Sequence, residues 1–320
     1  AGERAPAGRA TRGPPPFRGT CMDWRALALG VVFVAIWSSA FTSARIVVAD
    51  APPFLALAAR FALSGAIALA VGFALGERLP NGRAQWTAVA VFGLCQNALY
   101  LGLNFLALRS IDASVAVIVS SLLPLIVALL AFVALGERVT PLAAAGLAAG
   151  FGGVLVIMTA RLGGGADPVA VALCFGGVLA LAVATLLVRG ASAGGGDLWI
   201  VVGLQMLVGG ALLLPVTLAF EDWAVNWTPR LGLAFAYTVV FPGLLATMIW
   251  FVLVRRIGAT RAATFHFLNP FFGVAVAALV LGEAVTPRDA LGVAIVMAGI
   301  LAVQFGRRPA ATAVARTEVP

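Results

Sequence analysis

The chain has 320 residues, of which 62% are hydrophobic and only 11% charged, with a mean hydropathy of +1.05. A soluble domain averages roughly 45–50% apolar and 25% charged residues, so core burial cannot absorb the excess and lipid must cover much of the surface. The net charge of +8 comes from 21 basic residues, all Arg, against 13 acidic ones; they lie singly or in pairs between apolar stretches, which excludes the basic stripe of a nucleic-acid binder.

Residues 1–22 are rich in Pro, Gly and Arg and lack the apolar centre of a signal peptide. They read as a disordered cytoplasmic tail or as an overextended start ahead of Met22. Ten apolar segments follow, near 25–48, 54–75, 86–108, 113–135, 141–160, 168–188, 198–220, 231–254, 259–281 and 288–305. Each can cross about 30 Å of hydrocarbon as a helix rising 1.5 Å per residue. Unbroken apolar runs exclude the alternating strands of an outer-membrane barrel. The expected fold is therefore all-α and integral to the membrane. Turn signals such as Asp50-Ala-Pro-Pro53, Gly136-Glu137-Arg138 and Gly163-Gly-Gly165 separate the helices. Thr140-Pro141 and Thr286-Pro287 read as N-caps followed by Pro at the first helical position. Residues 307–320 form a second tail.

Arginine counts in alternate loops set the orientation. With the N-terminus inside, 15 arginines fall in cytoplasmic segments and five outside, and Arg60 lies within the second helix. Both termini are expected in the cytoplasm.

The sequence also repeats itself. "ALGERVTPLAAAG", ending at Gly146, recurs as "VLGEAVTPRDALG", ending at Gly292. From Arg109 to Leu155, 18 of 47 positions equal their partners 146 residues later. This divides the chain into halves at 23–160 and 167–306. Five helices per half is an odd number, so the copies are expected to cross the membrane in opposite senses, as in secondary transporters with a midplane site.

"WSSAFTSARIVVADAPPFLALAARFALSGAIALA" at 37–70 resembles the helix 1–2 signature of the EamA family, in the drug/metabolite transporter superfamily. The stretch from Asn97 to Thr140 resembles its helix 3–4 signature, and 243–286 resembles it again. The resemblance covers nearly all of 23–306. It implies ten helices, internal termini and export of amino acids or other small metabolites across a bacterial inner membrane, and it leaves the cargo open.

Polar and helix-breaking residues at mid-depth mark the candidate substrate pathway, because hydrocarbon does not tolerate them without a role. Pro124 and its repeat partner Pro270 are expected at the centres of helices 4 and 9. Each frees a carbonyl one turn back, beside Ser120 and Ser121 or beside His266 and Asn269. Asn97, Tyr100 and Asn104 share one face of helix 3, while Gly243, the partner of Asn97, follows Phe241-Pro242 in helix 8 beyond Tyr237. Trp37, followed by Ser38 and Ser39, is either a wall for an organic solute or simple packing. The other six tryptophans, Trp250 included, read as an aromatic belt near helix ends. Arg60 reads as an element snorkelling to the rim, and Glu137 and Glu283 as caps beside Thr-Pro.

His266 is the sole histidine and the possible proton site, since every acidic residue lies in a tail or near a helix end. Two modes stay open: a facilitator driven by the substrate gradient, and an exchanger whose proton passes through His266. Cys21, Cys95 and Cys174 form no metal-binding spacing, so neither metal nor cofactor is expected. One His and no deep acidic cluster argue against a membrane enzyme. A channel or sensor, and a carrier of drugs or nucleotide sugars, are the other readings. The partners expected are a small-molecule substrate and lipid, with the chain a monomer or homodimer. A neutral or zwitterionic metabolite suits the Ser, Asn, Tyr and Trp inventory best.

Overall fold

The computed structural model describes residues 24–135, 140–163, 165–187, 198–257, 262 and 265–306. The two expected tails, the Gly136-Glu137-Arg138 turn and Cys21 lie outside them. The described residues form helices and no strand. Nine helices are long and apolar enough to cross a membrane, and a shorter apolar one spans Phe265–Leu281.

In chain order, α1 spans Trp24–Asp50 and α2 Pro53–Ala74. Next, α3 spans Arg83–Ala107, and α4 is Ala113–Ser120 followed by Leu123–Leu135. The chain continues with α5 over Pro141–Gly163, α6 over Pro168–Leu187 and α7 over Leu198–Phe220. Finally, α8 starts with Pro229–Thr238 and ends with Ala246–Ile257, α9 is Asn269–Leu281 after a 3₁₀ turn at Phe265–Leu268, and α10 is Pro287–Gly306. One end of the bundle gathers Asp50, Asp112, Arg161 and Glu283 and is called the Asp112 end. The opposite, Arg83 end holds the start of α3 and the end of α10.

Local chemistry starts these helices where the sequence signals lie. The Thr140 hydroxyl accepts from Ala143 N–H at 3.2 Å. Thr286 and Asp289 form a reciprocal capping box, with Asp289 N–H donating to the Thr286 hydroxyl and Thr286 N–H to the Asp289 carboxylate. Glu283 caps a different helix from the one expected. Its carboxylate accepts from the N–H groups of Ala113 and Ser114 at 2.8 and 3.0 Å, which places a negative charge on the positive end of α4.

Two antiparallel pairs flank the bundle. Small residues let α5 and α10 approach: a Cβ added to Gly146 would lie 2.7 Å from the Gly299 carbonyl oxygen, and one on Gly153 would lie 2.9 Å from that of Gly292. The pair α2 and α7 is tied at both ends. Glu221, after α7, accepts from Phe54 and Leu55 N–H at 2.9 and 2.8 Å at the start of α2. Glu77, after α2, accepts from Ile200 N–H at 3.0 Å at the start of α7. The remaining helices form the centre, where α1 packs against α4, α8 and α9, and α3 against α6 and α7.

Three of the central helices change winding midway. Gly93–Leu101 of α3 and Val239–Leu245 of α8 are π-helical. The expected mid-helix kink at Pro124 is instead an interruption at Ser121 and Leu122, and Pro270 follows a 3₁₀ turn. Each proline thus opens a new helical segment, where its missing N–H leaves no bond unmade.

Candidate functional site

A cavity of about 50 Å³ lies between α1, α2, α3, α7 and α8. Its polar lining is Arg60, Gln96, Asn97, Tyr100, Asn104 and Thr247, and Trp37, Phe41, Phe61, Phe105 and Met206 supply an apolar wall. At this volume it accommodates a few waters, so an organic solute needs the lining side chains to move apart.

The side chains on α3 come from the face that the i, i+3, i+7 spacing predicted. Asn97 Nδ2 donates to the Gln205 carbonyl on α7 at 2.7 Å. Asn104 Nδ2 donates to the Tyr100 carbonyl at 2.8 Å, and its Oδ1 accepts from Ser120 Oγ at 3.3 Å. Asn97 and Tyr100 lie within the π-helical turn of α3.

Arg60 departs from its expected place. Its side chain is only 5% exposed and lines the cavity instead of snorkelling to the surface. Its guanidinium lies 5.7 Å from the Phe61 ring, and its Nε is buried without a hydrogen-bond partner. Among the described residues the ion pairs belong to Arg161, and none reaches Arg60.

Of the pathway residues read from sequence, Trp37, Asn97, Tyr100 and Asn104 line the cavity. The others stand behind its wall or off its ends. Ser120 backs Asn104, and Ser121 Oγ bonds the Val117 carbonyl at 2.6 Å. Tyr237 Oη lies 2.6 Å from Ser39 Oγ, and the Tyr237 ring stacks on Phe241. Gly243 makes room for Ser64 of α2: a Cβ there would lie 3.1 Å from Ser64 Oγ. Pro124 and Pro270 begin their helical segments away from the cavity.

Toward the Arg83 end, Trp37 continues into a cluster of rings. Phe33 lies 5.7 Å from Trp37, 5.1 Å from Trp250 and 5.3 Å from His266. Trp250, read from sequence as a belt residue, is half-buried and lies 5.1 Å from the His266 ring. His266 Nδ1 lies 3.0 Å from Asn269 Nδ2, and Ser38 Oγ lies 3.3 and 3.4 Å from the backbone and side-chain oxygens of Asn269. With the Asn269 amide in this orientation, its nitrogen donates to Nδ1.

At the Asp112 end, Arg161 ties three segments together. It forks onto Asp289 at 3.1 and 2.9 Å, reaches Asp112 at 3.2 Å and donates to the Ala284 carbonyl at 3.1 Å. Arg45 bonds the Leu108 carbonyl. A second, polar cavity of about 300 Å³ opens here beside Arg45, Asp50, Asp112, Arg230 and Glu283.

The EamA-like transporter family model matches this chain twice, over residues 24–159 and 168–305. The chain belongs to the EamA-like transporter family. It is 24% identical over 277 residues to an uncharacterized transporter, YvbV, of Bacillus subtilis, covering 86% of this chain and 90% of that one. It is also 24% identical to a chloroplastic WAT1-related protein of Arabidopsis thaliana, over 90% of this chain and 70% of the relative. Over 139 residues it is 33% identical to the aromatic amino acid exporter YddG of Ancylobacter novellus, covering 43% of this chain and 48% of that one. A crystal structure of another protein, 23% identical, matches the fold with a TM-score of 0.64 over 88% of this EamA chain and 97% of its own. These relatives place the chain among the multi-pass membrane transporters of the drug/metabolite superfamily.

Sequence reasoning missed Gln96, Phe41, Phe61, Phe105, Met206 and Thr247 as lining residues, and misplaced Arg60. Gln96, beside Asn97 in an apolar run, carried a usable polar signal. The aromatic and aliphatic residues carried none, since they resemble every other apolar position in a membrane helix.

Proposed function

We propose that this EamA-family protein is a secondary exporter of small amino-acid-like metabolites. In this reading it works by alternating access in a bacterial inner membrane, with both termini cytoplasmic and the Asp112 end outside. The observation that carries the reading is the central cavity, where amide and hydroxyl groups share a wall with aromatic rings. Such a mixture orients an organic solute through a few polar contacts while apolar surface holds its body. The cavity lies between a ring cluster toward one end and the Arg161 network toward the other, which are natural positions for two gates. The antiparallel flanking pairs and the two family-model matches fit inverted repeats rocking about a fixed site. The name of YddG supports an amino acid as the first cargo to try.

The test is untargeted metabolomics of the medium from cells with and without the protein, followed by counterflow of each enriched compound in proteoliposomes. Enrichment of an amino-acid-like solute that also exchanges in vesicles is expected. An unaltered medium, or enrichment confined to polycations or nucleotide sugars, would remove this reading.

A further inference from the structure

Arg60 is a full positive charge inside the bundle, 95% buried by its 5% exposure. Burying an ion costs several kcal/mol even after relaxation, so such a residue needs a partner or a role. The Phe61 ring, 5.7 Å away, offers a cation–π contact that offsets only part of that cost. Among the described residues no carboxylate pairs with it. Glu221, after α7, is bound to Phe54, Leu55 and Thr217, and Asp50 to Asn226 and Thr228. No acidic residue lines the cavity. The guanidinium therefore borders a space whose walls are otherwise amides, hydroxyls and apolar side chains.

We propose that Arg60 is the anchor for a carboxylate on the cargo, so that the cavity selects small monocarboxylates with an apolar body and does not require their ammonium group. This deepens, and rests on, the reading of the cavity as the cargo site. One planar fork matches one carboxylate through two parallel N–H···O bonds. A single arginine balances one negative charge, which disfavours phosphates carrying two. The apolar body of the cargo lies against Phe41, Phe61 and Trp37. An ammonium group would meet only neutral acceptors such as Asn97 Oδ1, to which no described residue donates. It adds a charge that the site does not balance, so its removal leaves binding intact.

The test uses purified full-length protein and matched compounds: phenylalanine, phenylalaninamide, 3-phenylpropionate and 3-phenylpropionamide. Thermal unfolding in detergent reports binding, and the amides control for partitioning into micelles. The two acids are expected to raise the melting temperature and the two amides to leave it unchanged. Arg60→Gln is expected to abolish the shift and Arg60→Lys to retain part of it. The comparison within the wild-type protein stands even if the variants do not fold. Equal shifts for acid and amide, or no shift from either acid, would overturn the proposal, and so would a shift that persists in a folded Arg60→Gln protein. Counterflow in proteoliposomes separates the two readings: stabilisation by the acids without exchange keeps the carboxylate site and removes the transport function.

Discussion

Arg60 is buried in the bundle and His266 half-buried, and their neighbours set them apart. His266 already spends Nδ1 on the Asn269 amide and packs edge-on against Phe33. Taking up a proton at Nδ1 would break that bond, and among the described residues no carboxylate pairs with the ring. His266→Gln keeps a polar group beside Asn269 and removes titration. Initial transport rates of the variant between about pH 5 and 8 are expected to follow the wild-type profile. Loss of the pH dependence would instead make His266 a proton carrier. The α3 residues of the site were legible in advance because spacing along a helix fixes which side chains share a face, as with Asn97, Tyr100 and Asn104. For Arg60 the sequence gives depth but not direction. At two turns from a helix end a guanidinium can point to the rim or to the axis, and only the packing of α2 against α7 and α8 decides between them.

Among the elements, the π segments of α3 and α8 stand 146 residues apart, Gly93 opposite Val239, and each lies beside the cavity. Pro242, inside the α8 segment, marks a break there in the sequence, whereas nothing in Gly93–Leu101 of α3 announces a π turn. In α5 the spacing of Gly146, Gly150 and Gly153 marks a close-packing surface in the sequence itself, while Gly152 beside them faces open space. Gly146→Leu is expected to separate α5 from α10 and lower the apparent melting temperature. Gly152→Leu, where an added Cβ meets nothing within 4 Å, should leave it unchanged. Equal effects from both would show that the contact carries no stability. For the other pair, Glu221→Ala removes the acceptor of two α2 N–H groups and is expected to cost about 0.5–2 kcal/mol, measured by reversible denaturation in mixed micelles.

For the molecule as a whole, orientation follows from the arginine bias, which no packing geometry can supply. In a background lacking the native cysteines, an impermeant thiol reagent added outside intact cells should modify Val225→Cys and spare Asn81→Cys. The reverse pattern would turn the protein over and exchange the roles of its two ends. The unpaired guanidinium of Arg60 also has an electrical consequence. A carrier loaded with a monocarboxylate has a neutral centre, while the empty carrier keeps one positive charge there. When access switches sides, that charge changes its position in the transmembrane field, which is worth about 2.3 kcal/mol per elementary charge across 100 mV. A potential negative inside therefore draws the empty carrier toward its inward-open form, where it reloads from the cytoplasm. In vesicles clamped by a potassium diffusion potential, the return of the empty carrier should accelerate with inside-negative voltage while exchange between loaded forms stays indifferent to it. Equal voltage dependence of both steps would mean that Arg60 does not move within the field. Where the return step does respond, the membrane potential biases the direction of transport without any coupling ion.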